Sequence, residues 1–98
     1  MSRYVFLQAA RADIAAIIAY YKKEADAKVV RRFVDQLKID LDIVAERPRS
    51  FAIIRGDKRR ANMRRFPFNI LFRIMDGHVL IIAVRHHRRH PGFGTRRR

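Results

Sequence analysis

Six consecutive apolar residues, Val79 to Val84, constrain the fold more than any other part of this chain. Successive side chains of a strand point to opposite faces, so a strand that is apolar in both phases needs cover on both faces. We therefore place this strand in the interior of a sheet. Two helices could cover one face, and the other face requires either a curled sheet or a partner.

The residues before this strand predict further strands. Residues 69–75 alternate in hydropathy, and Asp76-Gly77 connects them to the apolar run. This dipeptide is typical of a two-residue primed hairpin turn, because Gly favours a positive φ and Asp tolerates one. Earlier strand-like stretches cover residues 51–54 and, more loosely, 59–66.

The first half of the chain predicts a short strand, Tyr4 to Leu7, and then two helices. Helical spacing places five residues on one face of the first helix: Ala10, Ile14, Ile17, Ile18 and Tyr21. A second helix begins near Asp26, which can cap it, and ends before Pro48. The short polar link between the helices indicates an antiparallel hairpin.

The second helix is apolar on two sides. Its main stripe contains Val30, Phe33, Val34, Leu37, Leu41 and Val44. At about 100° per residue, Ile39 and Ile43 project to nearly the opposite side. This second patch is either covered within the domain or serves as a docking strip for a partner.

In chain order, these elements predict an α+β fold with an N-terminal strand, a helical hairpin and a three-stranded antiparallel meander. A chain of 98 residues suffices for one domain, which we place at residues 1–94, followed by a mobile basic tail at 95–98. The chain has no cysteine and no long apolar run. We therefore expect a soluble cytoplasmic protein that does not bind a membrane.

The charge is concentrated in the second half. Residues 1–46 contain eight Lys or Arg and seven Asp or Glu. Residues 47–98 contain 15 Lys or Arg and two Asp or Glu, so nearly all of the net charge of +14 lies in the second half. Like charges repel and do not help folding, so this asymmetry indicates a strongly anionic partner.

Three segments make the chain resemble a known family. They are ARADI at residues 10–14 with the tyrosine pair at 20–21, RRFPFNILFR at residues 64–73, and IAVRHHRRHPGF at residues 82–93. Together they resemble the ParE-type toxins of the RelE/ParE superfamily over essentially the whole chain. The resemblance implies the toxin of a type II toxin–antitoxin system, bound in a hetero-oligomer by an acidic antitoxin that wraps it.

The resemblance leaves the activity open between two classes. ParE-like members inhibit DNA gyrase by stabilising its cleaved-DNA complex, whereas RelE-like members cut messenger RNA on the ribosome. The ParE-like activity is our first expectation and implies no catalytic residue and no cofactor. A third class, a simple basic nucleic-acid-binding module, is disfavoured because the aromatic residues do not form a stacking platform among the arginines.

Ribonuclease chemistry would need a proton acceptor, a proton donor and cations for the developing charge. The three tyrosines precede the basic half, and Phe93 lies where ribonuclease relatives tend to carry a catalytic side chain. If the chain is a nuclease, the candidates are Arg64, Arg85, His86 and His87. A metal at the histidines is not expected, since flanking arginines would repel it.

The remaining basic residues are candidates for binding. Target binding is assigned to Arg85 above all, and also to Arg55, Lys58, Arg59, Arg60, Arg64, Arg88 and Arg89. An arginine fork binds two oxygens of a carboxylate or phosphate at once. Antitoxin binding is assigned to Ile39, Ile43, Arg65 and Arg73.

Overall fold

The computed structural model describes residues 3–88 and 92–97 and confirms the α+β prediction. The elements are β1 (Tyr4–Phe6), α1 (Gln8–Glu24), α2 (Ala27–Glu46), a short 3-10 turn (Pro48–Ser50), β2 (Ile53–Arg55), β3 (Lys58–Asn62), β4 (Phe68–Met75) and β5 (His78–His86). Four strands follow the helices instead of the three predicted, because the short β2 pairs with β3. In the described part of the chain, no helix is both long and apolar enough to cross a membrane.

The five strands form one mixed sheet in the order β1-β5-β4-β3-β2. The last four are antiparallel neighbours, whereas β1 pairs with β5 in parallel. Strand β5 therefore lies between two others, as its apolar run predicted. The helical hairpin connects β1 to the four antiparallel strands, and it packs on one face of the sheet.

A bulge in β5 explains how its apolar run serves both faces. Leu71 lies opposite Ala83 and Phe72 lies opposite Ile81, so Ile82 is an extra residue in the pairing. An extra residue changes the alternation of side chains after it. Ile81 and Val84 join the core under the helices, whereas Ile82 and Ala83 join a smaller apolar cluster on the other face.

Aromatic rings fill the core between the helices and the sheet. Phe33 of α2 is fully buried, and its ring centroid lies 5.4 Å from that of Phe66 and 5.7 Å from that of Phe68. The predicted apolar face of α1 packs on the same core. The predicted cap of α2 is also confirmed, because the Asp26 carboxylate accepts a 3.0 Å hydrogen bond from the Val29 N–H.

The predicted hairpin between β4 and β5 is present, but its turn is not of the primed type. Gly77 has a φ of +79°, whereas among the described non-glycine residues only Arg65 has a positive φ. Asp76 therefore has a negative φ, and the turn relies on glycine alone.

Residues 92–97 cover part of the sheet face opposite the helices. A Cβ atom added to Gly94 would lie 2.8 Å from the Ala83 Cβ, so the segment runs directly on the small apolar cluster. Thr95 is only 4% exposed. We expected either a curled sheet or a partner to cover this face of the sheet. Instead, residues 92–97 of the chain itself cover part of it. Two residues of the predicted basic tail, Thr95 and Arg97, pack against the domain, while Arg98 lies outside the described residues.

Candidate functional site

The face of the sheet opposite the helices carries a fixed group of cations. Leu71 lies on this face, and strand alternation places Lys58, Arg60 and Arg73 on the same side. Lys58 lies opposite Arg73 in register, and Arg60 lies opposite Leu71. We call these residues, together with Arg85 of β5, the basic face. Because strands carry them, their spacing is set by the sheet.

Arg73 is already engaged on this face. Its Nε donates a 2.9 Å hydrogen bond to Asp57 Oδ2, and Lys58 Nζ lies 4.0 Å from Asp57 Oδ1. The hydrogen bond from Arg73 is the main cause that lowers the pKa of Asp57, although desolvation opposes it. The predicted antitoxin contact at Arg73 would therefore have to compete with Asp57.

Arg85, the residue favoured most strongly for target binding, is buried. Its side chain is 6% exposed, and its Nη1 donates a 2.9 Å hydrogen bond to the Phe93 carbonyl oxygen. Burial lowers the pKa of Arg85, and the nearby charge of Arg60 lowers it further. In this conformation residues 92–97 lie over the end of β5 and cover Arg85, so its target-binding role stays a prediction.

Asp13 and Arg97 form an ion pair that sequence analysis did not assign. Arg97 Nη1 lies 2.6 Å from Asp13 Oδ2. The Asp13 carboxylate also accepts from the Val84 N–H at 3.1 Å, and Arg97 Nη1 donates to the Ile82 carbonyl at 3.3 Å. Strand β1 pairs with β5 only as far as Ile81. Two side chains therefore bind the β5 backbone beyond the end of that strand.

A buried carboxylate on α2 holds the turn between β3 and β4. Asp40 of α2 is 5% exposed and accepts 3.1 Å hydrogen bonds from Gln36 Nε2 and from the Arg64 N–H. Arg65 follows in the left-handed region with a φ of +66°. Both arginines are exposed at this turn. Asp40 thus holds the backbone of this turn at Arg64.

A groove of about 440 Å³ lies between α1 and the end of β5. Its lining includes Tyr20, Tyr21, Arg85 and His86. All three tyrosines precede the basic half in sequence, but folding places Tyr20 and Tyr21 in the lining of the same groove as His86. Burial raises the pKa of Tyr21, and the neighbouring Tyr20 raises it further, which makes Tyr21 a poor proton acceptor.

The two histidines at the end of β5 stack on each other, with ring centroids 4.7 Å apart. His86 Nδ1 accepts a 3.0 Å hydrogen bond from the Arg88 N–H, so the proton of its neutral ring lies on Nε2. His87 Nδ1 lies 3.0 Å from the Pro67 carbonyl oxygen and must donate to it. The hydrogen bond to Pro67 therefore uses Nδ1 of His87 and leaves its Nε2 atom as the second ring nitrogen. Within residues 3–88 and 92–97, no three His, Asp or Glu side chains converge to hold a metal ion.

The other predicted residues lie in several places. Arg55, Arg60 and Arg88 are exposed, whereas Arg59 is half-buried and donates to the Phe51 carbonyl at 2.8 Å. Arg89 lies outside the described residues. Ile39 is 50% exposed and Ile43 is half-buried. The structure thus gathers part of the predicted target set on one face and leaves Ile39 open on α2.

Comparison with known proteins gives two matches of different kinds. Residues 4–91 match the model of a family described as the ParE toxin of the type II toxin–antitoxin system parDE. A solved chain described as the chromosomal ParDE toxin–antitoxin system from P. aeruginosa has a TM-score of 0.76 at 18% identity, covering 88% of this chain and 96% of that one. A comparison with curated proteins found no match. The structural likeness supports the fold, and the family match covers most of the chain.

Proposed function

Because the chain belongs to the ParE toxin family of type II toxin–antitoxin systems, we propose that it inhibits DNA gyrase by stabilising the cleaved-DNA complex of that enzyme. The basic face is the observation that carries this proposal. Lys58 and Arg60 lie on β3, on the same face of the sheet, and their positive charges would attract an anionic partner. Such a poison needs tight binding and no proton transfer.

The proposed mechanism is selective binding. A ligand shifts an equilibrium only as far as its affinities for the two states differ. The toxin would hold gyrase in the cleaved state by contacting oxygens that the cleaved state presents and the resealed state does not. Exposed arginines at the basic face and the neighbouring turn, Arg60 and Arg64 among them, suit this role because each fork can bind two oxygens.

A gyrase assay tests the proposal. The purified chain, freed of any copurifying protein, is added to gyrase, supercoiled plasmid and ATP, and both supercoiling and linear DNA are measured. We expect linear DNA to accumulate. The double variant Lys58→Ala/Arg60→Ala should lose potency by about tenfold, because cation–phosphate and cation–carboxylate contacts are removed. Unaltered plasmid at saturating toxin would contradict the proposal.

The matched control is Lys22→Ala/Lys23→Ala. These two lysines are exposed in the last turn of α1 and carry the same total charge. If both double variants lose potency equally, general charge explains the effect and the basic face has no special role. Circular dichroism of each variant shows whether it folds.

Neutralisation by an acidic, amphipathic antitoxin is the second part of the proposal. Ile39 is exposed on α2 beside the partly buried Ile43, which leaves an apolar strip that a partner helix could cover. The toxin would then act in the cytoplasm, free or in a hetero-oligomer. We expect Ile39→Ser/Ile43→Ser to weaken antitoxin binding in calorimetry. Ile53→Ser, at a comparably exposed apolar residue on β2, should leave it unchanged.

A ribosome-dependent ribonuclease is the second candidate, favoured by the groove that brings Tyr20 beside His86 and Arg85. A parallel reaction with ribosomes and messenger RNA separates the two. Cleaved RNA with intact plasmid would move the function to this groove, and Tyr20→Phe and His86→Gln should then lower cleavage. Salt-dependent DNA binding without any effect on gyrase would instead indicate a simple nucleic-acid-binding module.

A further inference from the structure

Residues 92–97 form a short segment, here called the strap, that closes over the basic face. Gly94 touches the apolar cluster so closely that a Cβ atom there would lie 2.8 Å from the Ala83 Cβ. Within the strap, Thr95 Oγ1 and the Thr95 N–H both bond the Gly92 carbonyl oxygen, at 2.8 and 3.1 Å. The Arg97 guanidinium lies 4.9 Å from the centre of the Phe93 ring. The strap is thus a structured unit.

The strap supplies a hydrogen-bond acceptor to Arg85, a side chain that is suited to bind an anion. Arg85 donates to the main-chain carbonyl of Phe93 at 2.9 Å. A guanidinium forms a stronger hydrogen bond with a charged oxygen than with a neutral carbonyl. The Phe93 carbonyl therefore holds a position that a carboxylate or phosphate oxygen of a target could take.

The strap side of the sheet also contains a buried acceptor without a hydrogen-bond partner among the described residues. Asn69 lies opposite Arg85 in register, and its Oδ1 atom is buried without a hydrogen-bond partner in the described structure. Such a group costs free energy, typically about 1–3 kcal/mol. A state in which the strap has moved away and solvent or a ligand reaches Asn69 would remove this cost.

One ion pair anchors the strap to the body of the domain. Arg97 binds Asp13 of α1 at 2.6 Å, and among the described ion pairs this is the one that joins the strap to a helix. The strap is itself cationic, with Arg96 and Arg97, and lies on a face that carries Lys58 and Arg60. Repulsion between the strap and this face therefore acts against the attraction of a single carboxylate.

We propose that the strap is an autoinhibitory latch, closed by the Asp13–Arg97 pair, which must open before Arg85 of the basic face becomes accessible and can bind an anionic oxygen of the target. An anionic target that binds only the open form shifts the population toward it. The identity of that target rests on the proposed function, whereas the latch itself does not.

Chemical modification of arginine tests the latch without any target. Phenylglyoxal reacts with accessible guanidinium groups, and mass spectrometry of peptides gives the rate at each arginine. We expect Arg85 to react about tenfold more slowly than exposed Arg60 in the unaltered chain, and to approach the Arg60 rate in Arg97→Gln, because local opening controls access. Arg96→Gln removes the same charge from an exposed site of the strap and should change nothing.

Two results would overturn the latch. One is an Arg85 rate in Arg97→Gln equal to that of the unaltered chain, and the other is rapid modification of Arg85 in the unaltered chain. Asp13→Asn, which retains an acceptor for the Val84 N–H, gives a second way to remove the ion pair. If that variant does not fold, Arg97→Gln alone decides, and hydrogen exchange at the Thr95 and Arg97 amides provides a second measure of opening.

The gyrase assay adds a test in which removal of a positive charge should increase inhibition. Loss of a positive charge should weaken binding to an anionic target, yet the latch predicts that Arg97→Gln inhibits several-fold more strongly than Arg96→Gln. Adding Arg85→Ala to Arg97→Gln should remove the gain. If the unaltered chain inhibits gyrase, equal potency of the two single variants would overturn the autoinhibitory role. If no variant affects gyrase while Arg85 becomes accessible, the proposed target is wrong and the latch stands.

Discussion

The two faces of the sheet are covered in different ways. The face under the helices packs aromatic and aliphatic side chains such as Phe33, Phe68 and Ile70, all buried. The opposite face has a small apolar cluster, Leu71, Ile82 and Ala83, with cations around it. A twenty-residue helix and a seventeen-residue helix cover the first face, and a six-residue strap covers the cluster on the second.

The two faces therefore have different roles: one stabilises the fold, and the other controls access to buried polar groups. Burial of large apolar side chains supplies most of the free energy of folding, and the helix side contains most of these side chains. The strap side contributes less apolar burial and holds Arg85 and Asn69, two polar groups that are buried at a cost. We infer that the helix side fixes the fold, while the strap side can open without unfolding the domain.

The largest contrast should come from removing a ring on each side. Phe33→Ala removes a fully buried ring and should lower the free energy of unfolding by about 3–5 kcal/mol. Phe93→Ala, in the half-buried strap, should lower it by about 1 kcal/mol or less. Denaturant unfolding measures both. Equal losses would mean that the strap is part of the cooperative core.

The next effect concerns the carboxylate on the helix side. Asp40→Ala leaves the Arg64 N–H without its acceptor and should cost about 1–3 kcal/mol. Asp42→Ala, at an exposed position of the same helix, should cost little. Thermal unfolding compares the two variants. A loss at Asp42 as large as that at Asp40 would show that helix charge, and not the turn contact, is responsible.

A smaller effect should appear when a methyl group is added under the strap. Gly94→Ala combines a left-handed φ of +79° with the contact to Ala83, whereas Gly77→Ala has the same φ and open space. Both should cost about 1–2 kcal/mol of backbone strain. Only Gly94→Ala should also speed hydrogen exchange at the Thr95 and Arg97 amides, since the strap must lift. Identical exchange in both variants would contradict the close packing.

The smallest effect is a pH dependence on the basic face. Folding lowers the pKa of Asp57, chiefly through the hydrogen bond from Arg73. Its contribution is therefore complete above the unfolded pKa, near 3.9, and is lost as the pH falls through the lower folded value. An exposed pair of this kind contributes about 0–1 kcal/mol. Asp57→Asn should thus narrow the difference in Tm between pH 6 and pH 3 slightly, and 1 M salt should have a similar effect.

Local patterns predicted much of the fold correctly. The periodicity of residues 10–21, the cap at Asp26 and the interior position of residues 79–84 all follow from contacts within a few residues or from strand alternation. Residues 51–54 were identified as strand-like, but the predicted three-stranded meander did not include the fourth strand, Ile53–Arg55, because three residues carry only a weak pattern. Ile82 as a bulge was also invisible, since every residue in that run is apolar.

The site was less predictable than the fold. The basic residues on alternate positions of β3 were identified, but the burial of Arg85 was not predicted, because nothing in the neighbouring sequence indicates a strap above it. Tyr20 and His86 are distant in sequence, and only the packing of α1 on β5 brings them to one groove. The motif at residues 10–14 contains one acidic residue, Asp13, but nothing in the sequence identifies its partner.

By itself, the sequence determined which segments are helices and strands, that β5 is interior, that the second half is cationic, and to which family the chain belongs. The tertiary structure decided that Asp13 and Arg97, 84 residues apart, form an ion pair, and that the strap buries Arg85. Periodicity and capping are local, so composition and spacing reveal them. A contact between distant residues depends on how whole elements pack, and short-range patterns carry no record of that geometry.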